Sequence, residues 1–389
     1  MPPDSLPPGS PSSDPLSRRA ALLAQTPLHA WHVAHGGRMV DFAGWSMPVQ
    51  YGSIVAEHIA TRTAAGLFDV SHMGRIRFTG PGTAAYLDSL ITRRVVDMQP
   101  GQVRYGLMTN DAGYTLDDIL VYHLRDAQQA PYHLLVVNAS NREKILSWLR
   151  RHPPRGADSQ FVDLTRATAM IAVQGPRALE ITQPLVPLEL QSLKYYHTAE
   201  TLVDGQSAIV SRTGYTGEDG CELILPATQA TAVWERILAA GRDCGARAAG
   251  LGCRDTLRLE AGMPLYGHEL SEALSPLQAG IEFAINLRER IFIGRDALVL
   301  QESQPLRQQR VGLALEGKRV PREGYVVLRD GAPIGTVTSG TFSPTFDRPI
   351  AMAYVEADAA APGTQLAIDV RGQPIPATVV ALPFYRRPK

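Results

Sequence analysis

The chain has 389 residues, of which 44% are hydrophobic and 20% charged, values typical of a globular protein long enough for more than one domain. Its 38 Lys and Arg residues are balanced by 38 Asp and Glu residues. The zero net charge argues against nucleic acid or an anionic membrane as a partner. Three cysteines in no C-x-x-C pattern favour a reduced, cytoplasmic location.

The N-terminal segment is rich in Pro and Ser and lacks an apolar core. We therefore predict a flexible tail over residues 1–25, with the ordered chain beginning near Thr26. Asp4, Asp14 and the early prolines disfavour a mitochondrial presequence. No apolar run reaches the length of a membrane-spanning helix.

The first elements are a strand with an irregular loop at residues 36–48 and a helix beginning at Ser53. Ser53 is a good N-cap residue, and Gly66 is expected to end that helix. A strand after Gly66 leads, through a turn, into residues 75–78.

A β-hairpin is predicted next, with strands at residues 105–108 and 119–124 and a turn at 110–113. Asp117 and Asp118 open its second strand, and their side chains point to opposite faces of the sheet. Either both cap the turn and remain hydrated, or one faces inward and needs a partner. The hairpin alone leaves both interpretations open.

The middle of the chain alternates strands and helices. Ser140 to Glu143 matches a capping box, and Asn138 is expected to serve the same cap. Further strands are predicted at residues 132–137, 168–174, 200–212 and 220–225, with helices at 176–182 and 228–244. This mixture, with its hairpins, favours an α+β fold.

From Arg310 the pattern changes to six short strands separated by Gly, Pro and Asp. This spacing predicts a small C-terminal β-barrel. We accordingly divide the chain after its tail into residues 26–300 and 301–389. The strands are predicted at residues 311–315, 325–329, 334–338, 350–355, 365–370 and 376–381.

The sequence matches none of the common cofactor-binding motifs. Residues 312–318 approach a phosphate-binding P-loop, but Arg319 replaces the hydroxyl residue that holds magnesium. No G-x-G-x-x-G opens a βαβ unit, and the histidines show no metal-ligand spacing. We therefore expect no metal.

Glu222 lies in a predicted strand after a glycine-rich loop, and Arg254 begins a predicted helix that ends at Gly262. A carboxylate can accept two N–H bonds from a flat heterocycle, and an arginine can hold its carbonyl or carboxylate. The alternative is a structural Arg–Glu ion pair. Arg258 lies four residues after Arg254, on the same helix face.

Several long motifs in one order resemble the aminomethyltransferases, the T-protein family of the glycine cleavage system. The resemblance runs from about Thr26 to Arg386. One departure occurs before the Asp pair, where the family usually has Gly-Gly and this chain has Gly113-Tyr114. The matching motifs include Gly66-Leu-Phe-Asp-Val-Ser-His-Met-Gly74, Arg212-Thr-Gly-Tyr-Thr-Gly-Glu-Asp-Gly220, Leu257-Arg-Leu-Glu-Ala-Gly-Met-Pro-Leu-Tyr-Gly267 and Gly335-Thr-Val-Thr-Ser-Gly-Thr-Phe-Ser-Pro344.

This resemblance implies a multi-lobed fold around a central hole that binds tetrahydrofolate. It also implies a partner, the lipoylated H-protein, whose aminomethyl group supplies a one-carbon unit to the folate with release of ammonia. Asp118 would be the catalytic carboxylate near the reacting nitrogen of the folate. The folate-binding residues carried over are Tyr105, Asp118, Tyr215, Glu222, Arg254 and, in the C-terminal tail, Arg386.

Two other functions remain possible from the sequence. A folate-dependent demethylase of a small sulfonium or amine would share the same pterin contacts. A non-catalytic folate-binding protein of iron–sulfur assembly would carry a Lys-Gly-Cys-Tyr-x-Gly-Gln-Glu motif, whereas residues 290–295 of this chain contain no cysteine.

Overall fold

The computed structural model describes residues 23–154 and 159–388, which form three open sheets, a closed barrel and the helices that cover them. Most of the predicted N-terminal tail lies outside these residues. Ala24 and Gln25, which we assigned to that tail, form a short strand that pairs with Trp45 and Ser46.

A six-stranded sheet forms one lobe. Its central strands carry small and aliphatic residues on both faces, as expected for a sheet covered on both sides. The predicted strand at residues 200–212 is instead a hairpin that turns at Asp204 and Gly205. The helices Ala178–Thr182 and Ala230–Gly241 cover one face of this sheet. In spatial order its strands are Thr198–Val203, Gln206–Ser211, Gly220–Pro226, Thr168–Gln174, Gly66–Asp69 and Arg247–Ala248.

A five-stranded antiparallel sheet forms the second lobe and contains the predicted hairpin. Its outer face packs against the helices Thr83–Asp88 and Arg142–Arg151. In spatial order the strands are Val103–Thr109, Thr115–Arg125, Pro131–Val137, Gly74–Thr79 and Gln160–Asp163.

The two sheets face each other across a shared apolar layer. Tyr122 and Leu124 from the hairpin meet Met170 and Ile224 from the six-stranded sheet in this layer. Because strand residues alternate, Asp118 shares a face with Tyr122, and Asp117 lies on the opposite face under helix Arg142–Arg151. Glu222 and Ile224 likewise share a face of strand Gly220–Pro226.

A three-stranded sheet, the strands Ala24–Gln25, Trp45–Gln50 and Arg38–Phe42, lies near the N-terminus with the helices His29–Ala34 and Ile54–Thr63. Ser53 caps the second helix as predicted, because its side chain accepts a hydrogen bond from the N–H of Ala56. The prediction that Gly66 ends this helix is wrong. The helix ends at Thr63, and Gly66 opens a strand where a Cβ would lie 2.2 Å from the hydroxyl of Thr61.

The capping box at Ser140 to Glu143 is also not formed. A 3₁₀ turn over Ala139–Asn141 precedes helix Arg142–Arg151, whose N-cap residue, Asn141, makes no side-chain cap. The buried stripe of the helix consists of Ile145, Leu146, Trp148 and Leu149.

The C-terminal region folds as a closed six-stranded barrel, which confirms the pattern of short strands. Helix Arg295–Glu302 precedes it, and aliphatic side chains fill its interior. The barrel strands are Gln308–Leu315, Val326–Arg329, Ala332–Ser343, Arg348–Glu356, Gln365–Asp369 and Pro374–Val380.

Helix Leu251–Glu260 connects the lobes to the barrel. Near its C-terminal end, the buried Arg258 forms an ion pair with Glu269 at 2.9 Å and donates to the hydroxyl of Ser339 at 2.8 Å. Two residues further on, Glu260 accepts hydrogen bonds from Ser343 and Thr345. Because Ser339 and Ser343 belong to one barrel strand, this helix and the barrel are held in a defined orientation.

Candidate functional site

Asp118 lies on the second strand of the hairpin, on the face turned toward the six-stranded sheet. Its Oδ2 accepts a hydrogen bond from the hydroxyl of Tyr105 at 3.2 Å. Its Oδ1 accepts one from the side-chain amide of Asn138 at 2.8 Å. The carboxylate is therefore held in one orientation by two neighbouring strands.

Asp117 is fully buried on the opposite face of the same strand. Its carboxylate accepts three hydrogen bonds, from the backbone N–H of Asn138 at 3.0 Å, the side chain of Asn138 at 2.8 Å and the side chain of Asn141 at 2.6 Å. The interpretation in which both aspartates stay hydrated is therefore wrong. The asparagine expected to cap the helix holds the two carboxylates instead.

Burial raises the pKa of both carboxyls, and the charge of Asp118 adds to the shift of Asp117. Burial, and then the neighbouring charge of Asp118, raise the pKa of Asp117 to about 8, although its three N–H donors oppose the change. Burial raises the pKa of Asp118 to about 6 against the hydrogen bonds from Asn138 and Tyr105. Both carboxyls are therefore harder to ionise than a free aspartate.

Tyr215 and Arg254 form the next part of the site. The guanidinium carbon of Arg254 lies 4.7 Å from the centre of the Tyr215 ring, a favourable cation–π distance. The hydroxyl of Tyr215 donates to the carbonyl of Pro264. Buried Nη1 of Arg254 has no hydrogen-bond partner, and burial lowers the pKa of this arginine.

Glu222 is buried on the inward face of its strand and accepts a hydrogen bond from the hydroxyl of Thr213. Burial raises its pKa, opposed by that hydrogen bond and by the charge of Arg254. The hypothesis of a structural Arg–Glu pair is not supported, because the ion pairs of the described chain include none between Glu222 and Arg254. Arg258, on the same helix face, forms the structural pair instead.

The structure brings together five of the six predicted site residues. Asp118 and Tyr105 are in contact, and the charge of Asp118 also reaches Tyr215. Tyr215 then connects to Arg254, whose charge reaches Glu222. Arg386 is exposed in the C-terminal tail, and no contact joins it to the other five.

The neighbours of Arg386 show where that tail lies. Tyr385 stacks under the guanidinium of Arg62, with the guanidinium carbon 3.8 Å from the ring centre. Arg387 forms an ion pair with Asp219 at 3.2 Å. The tail therefore passes along the glycine-rich loop that leads into the strand of Glu222.

Three residues of this region were missed by the sequence analysis. Asn138 was assigned to a helix cap, although an asparagine directly after a buried strand is also a candidate site residue. Tyr196 is within electrostatic range of Tyr105 and of Glu222 and adopts a positive φ of 59°. Arg310 enters from the first barrel strand and donates to the carbonyls of Ala279 and Gly262.

In residues 23–154 and 159–388, no three His, Cys, Asp or Glu side chains are grouped so that they could hold a metal ion. Within the same residues, no helix is both long and apolar enough to cross a membrane.

Two family models match the chain in sequence. The GCVT N-terminal domain matches residues 28–289, and the glycine cleavage T-protein C-terminal barrel domain matches residues 308–386. The first match alone covers more than half of the chain. The chain belongs to the glycine cleavage T-protein family of aminomethyltransferases.

Curated members of this family are similar over nearly the whole length. The aminomethyltransferase of Rubrobacter xylanophilus is 48% identical over 368 residues, which is 94% of this chain and 95% of that protein. The aminomethyltransferase of Moorella thermoacetica is 47% identical over 369 residues, which is 95% of this chain and 100% of that protein. These relatives confirm the predicted family and enzyme class, and they support neither the demethylase nor the iron–sulfur assembly hypothesis.

The fold of a T-protein family member has also been solved. The crystal structure of glycine cleavage system aminomethyltransferase T from Bartonella henselae superimposes with a TM-score of 0.86 at 33% identity, over 93% of this chain and 98% of that chain. This match, with the closed barrel, confirms the predicted α+β fold with a C-terminal barrel.

Proposed function

We propose that this aminomethyltransferase transfers the methylene carbon of an aminomethyl group from the dihydrolipoyl arm of an H-protein to tetrahydrofolate, and releases ammonia. The observation that carries this proposal is the half-buried carboxylate of Asp118, held by Tyr105 and Asn138 beside the aromatic and charged side chains of Tyr215 and Arg254. Membership of the family supports tetrahydrofolate as the acceptor.

Asp118 is suited to the charge that develops in this reaction. When ammonia leaves an S-aminomethyl group, the methylene carbon acquires cationic character. A fixed carboxylate stabilises that cation and orients the folate amine that attacks it. Because the side chain is half-buried, solvent screens this interaction less than it would at the surface. Positioning of the two reactants contributes as well, since both must meet at one carbon.

The pterin end of the folate is assigned to Glu222, Arg254 and Tyr215. Glu222 can accept N–H bonds from the ring, and the unpartnered Nη1 of Arg254 can donate to a ring carbonyl. Leaving the buried Nη1 of Arg254 without a protein partner is costly, so a ligand that pairs with it is favoured. Tyr105 is assigned to the same pocket, and the exposed Arg386 is assigned to the outer end of the folate.

The carrier, the location and the domain boundaries are part of the same proposal. The aminomethyl donor is proposed to be a lipoylated H-protein, because the family acts in the glycine cleavage system. A cytoplasmic location is supported by three cysteines that form no disulfide. The proposed boundary between residues 26–300 and 301–389 falls inside helix Arg295–Glu302.

A reconstituted assay tests this proposal. Purified enzyme is mixed with aminomethylated H-protein, with or without tetrahydrofolate, and ammonia and methylene-tetrahydrofolate are measured. We expect ammonia release to need the H-protein and to rise strongly when tetrahydrofolate is present. Transfer of a methyl group from a small sulfonium or amine, without the carrier protein, would refute the proposal.

A further inference from the structure

The side chain of Asn138 lies between two carboxylates. Its Nδ2 is 2.8 Å from Oδ1 of Asp117 and 2.8 Å from Oδ1 of Asp118. An amide nitrogen carries two hydrogens, so each hydrogen can be donated to one carboxylate. The two carboxylates project from opposite faces of one strand, and Asn138 follows the neighbouring strand Pro131–Val137.

We propose that Asp117 and Asn138 are positioning residues for the reaction, and that Asp118 ionises as one member of a bridged carboxyl pair. The proposal rests on the proposed function, because it assigns the ionisation of the carboxylate that the reaction uses. The amide of Asn138 fixes Asp118 toward Tyr105. The buried carboxyl of Asp117 makes the second ionisation of the pair costly, since two like charges then share one amide.

The groups that face this pair do not replace either carboxyl in titration. Tyr105 and Tyr215 face Asp118, and burial raises the pKa of both phenols well away from neutrality. Tyr266 is within electrostatic range of Asp117, and burial raises its pKa too. Lys144 donates to the hydroxyl of Tyr266 at 2.7 Å and stays charged. The carboxyl pair is therefore the part of this cluster that changes charge between acid and mildly alkaline pH.

The pair predicts two ionisations in the activity of the wild-type enzyme. Rates of ammonia release, measured from pH 5 to 9 with saturating H-protein and tetrahydrofolate, are expected to follow two steps, near the values of about 6 and about 8 for Asp118 and Asp117. A fit that needs only one carboxyl ionisation would overturn the proposal. This measurement requires no variant, so it does not depend on the folding of any mutant.

Removing the second carboxyl is expected to simplify the profile. In Asp117→Asn the upper step is lost and a single ionisation, that of Asp118, remains. Two unchanged steps in a folded Asp117→Asn enzyme would contradict the proposal. A role in stability alone would lower the amount of active enzyme at every pH and would leave the shape of the profile unchanged.

The bridge itself is tested by Asn138→Ala. Loss of the amide frees Asp118 to rotate, so kcat is expected to fall about 10- to 100-fold, as for the loss of one positioning contact. KM for tetrahydrofolate is expected to change less than about threefold, because the pterin contacts are separate. An unchanged kcat, or an equal loss through KM alone, would refute the assignment of Asn138.

Ser343→Ala is the matched control for lost stability. It removes a buried hydrogen bond to Glu260 and touches neither carboxyl of the pair. We expect its pH profile to keep both steps. If the wild-type enzyme releases no ammonia with H-protein and tetrahydrofolate, the proposed function itself fails. If it does and the profile shows a single step, only the paired ionisation fails.

Discussion

Arg254 lies over the ring of Tyr215, with 4.7 Å between the guanidinium carbon and the ring centre, and leaves its buried Nη1 without a partner. The ring fixes the position of the arginine without using all of its N–H donors. Glu222 is near enough to influence its charge but forms no ion pair with it. The positive group is thus held in place and remains free to bind a ligand.

Replacement of this arginine is expected to weaken folate binding more than turnover. In Arg254→Met, the side-chain volume is largely kept while the donors and the charge are lost. Removal of a charged hydrogen bond of about 1.5–3 kcal/mol corresponds to an increase in Kd for tetrahydrofolate of about 10- to 150-fold. Calorimetric titration of the purified enzyme measures this change.

Arg166→Met provides the control for this substitution. The guanidinium of Arg166 also lies 4.7 Å from an aromatic ring centre, that of Trp45, but the arginine is exposed and belongs to no part of the proposed site. We expect its Kd for tetrahydrofolate to match the wild-type value. Equal affinities in both variants would remove Arg254 from the folate site.

Asp118→Asn is expected to keep folate binding and to lose most turnover. The amide retains the size of the carboxylate but not its negative charge, so the cation that develops on the methylene carbon loses its counter-charge. A decrease in kcat of about 10²- to 10⁴-fold is expected. Stopped assays of ammonia release with purified H-protein measure it.

The same substitution at Asp111 is the control for Asp118→Asn. Asp111 lies in the exposed turn of the same hairpin. Asp111→Asn is expected to have wild-type activity. Normal turnover in Asp118→Asn would exclude Asp118 as the catalytic carboxylate.

The turn of the hairpin depends on Gly113 and tolerates Tyr114. Gly113 has a φ of +79°, and a Cβ there would lie 3.1 Å from Cγ of Leu298. Gly113→Ala is therefore expected to lower the free energy of unfolding by about 1–2 kcal/mol, the cost of a left-handed conformation for an L-residue. Urea unfolding measures this loss.

Tyr114 stands where the family usually has glycine. Its N–H donates to Oδ1 of Asn110 at 3.1 Å, so the turn closes with a tyrosine in place. Tyr114→Gly is expected to retain activity. A large loss of turnover in Tyr114→Gly, without a loss of stability, would show that this side chain has a role in the site.

The interface between helix Leu251–Glu260 and the barrel is expected to weaken in acid. Burial alone would raise the pKa of Glu260. The pKa is instead lowered to about 2 by a hydrogen bond and the charge of His58, by a hydrogen bond from Ser343 and by the charge of Arg62. A carboxyl whose pKa is lower in the folded state stabilises the fold above its unfolded value of about 4.3. This stabilisation is lost as the pH falls from there toward 2.

Glu260→Gln tests this pH dependence. At pH 7 the variant is expected to be about 3–5 kcal/mol less stable, because Arg62 and His58 lose a buried partner. Its stability is expected to change less than that of the wild type between pH 5 and 3. Parallel losses for both proteins over this range, measured by urea unfolding, would contradict the assignment.

The hairpin and the barrel could be predicted because their signals are local. Turn residues and alternation placed Asp117 and Asp118 on opposite faces, and short strands between Gly and Pro predicted the barrel. The partners of these residues are distant in sequence. Asn138 follows Asp118 by 20 residues, and no local pattern shows that its amide reaches two carboxylates.

The two arginines of helix Leu251–Glu260 show the same limit. Their spacing placed Arg254 and Arg258 on one face, but their roles depend on what lies opposite. Arg258 meets Glu269 and the barrel residue Ser339, whereas Arg254 meets an aromatic ring. The predictions that Gly66 ends a helix and that Ser140 caps one were wrong for a related reason. Tertiary packing overrode the helix-end preferences of these residues.

Helix Leu251–Glu260 therefore carries Arg254, which we propose to bind the folate, in its first half and both anchors of the barrel, Arg258 and Glu260, near its end. The two ends are one rigid rod about 15 Å long, so a ligand that holds Arg254 also holds the rod against which the barrel is seated. Binding at the pocket and opening of the barrel are then thermodynamically linked. Amide hydrogens of strand Ala332–Ser343, which do not touch the ligand, are expected to exchange more slowly once the pocket is filled.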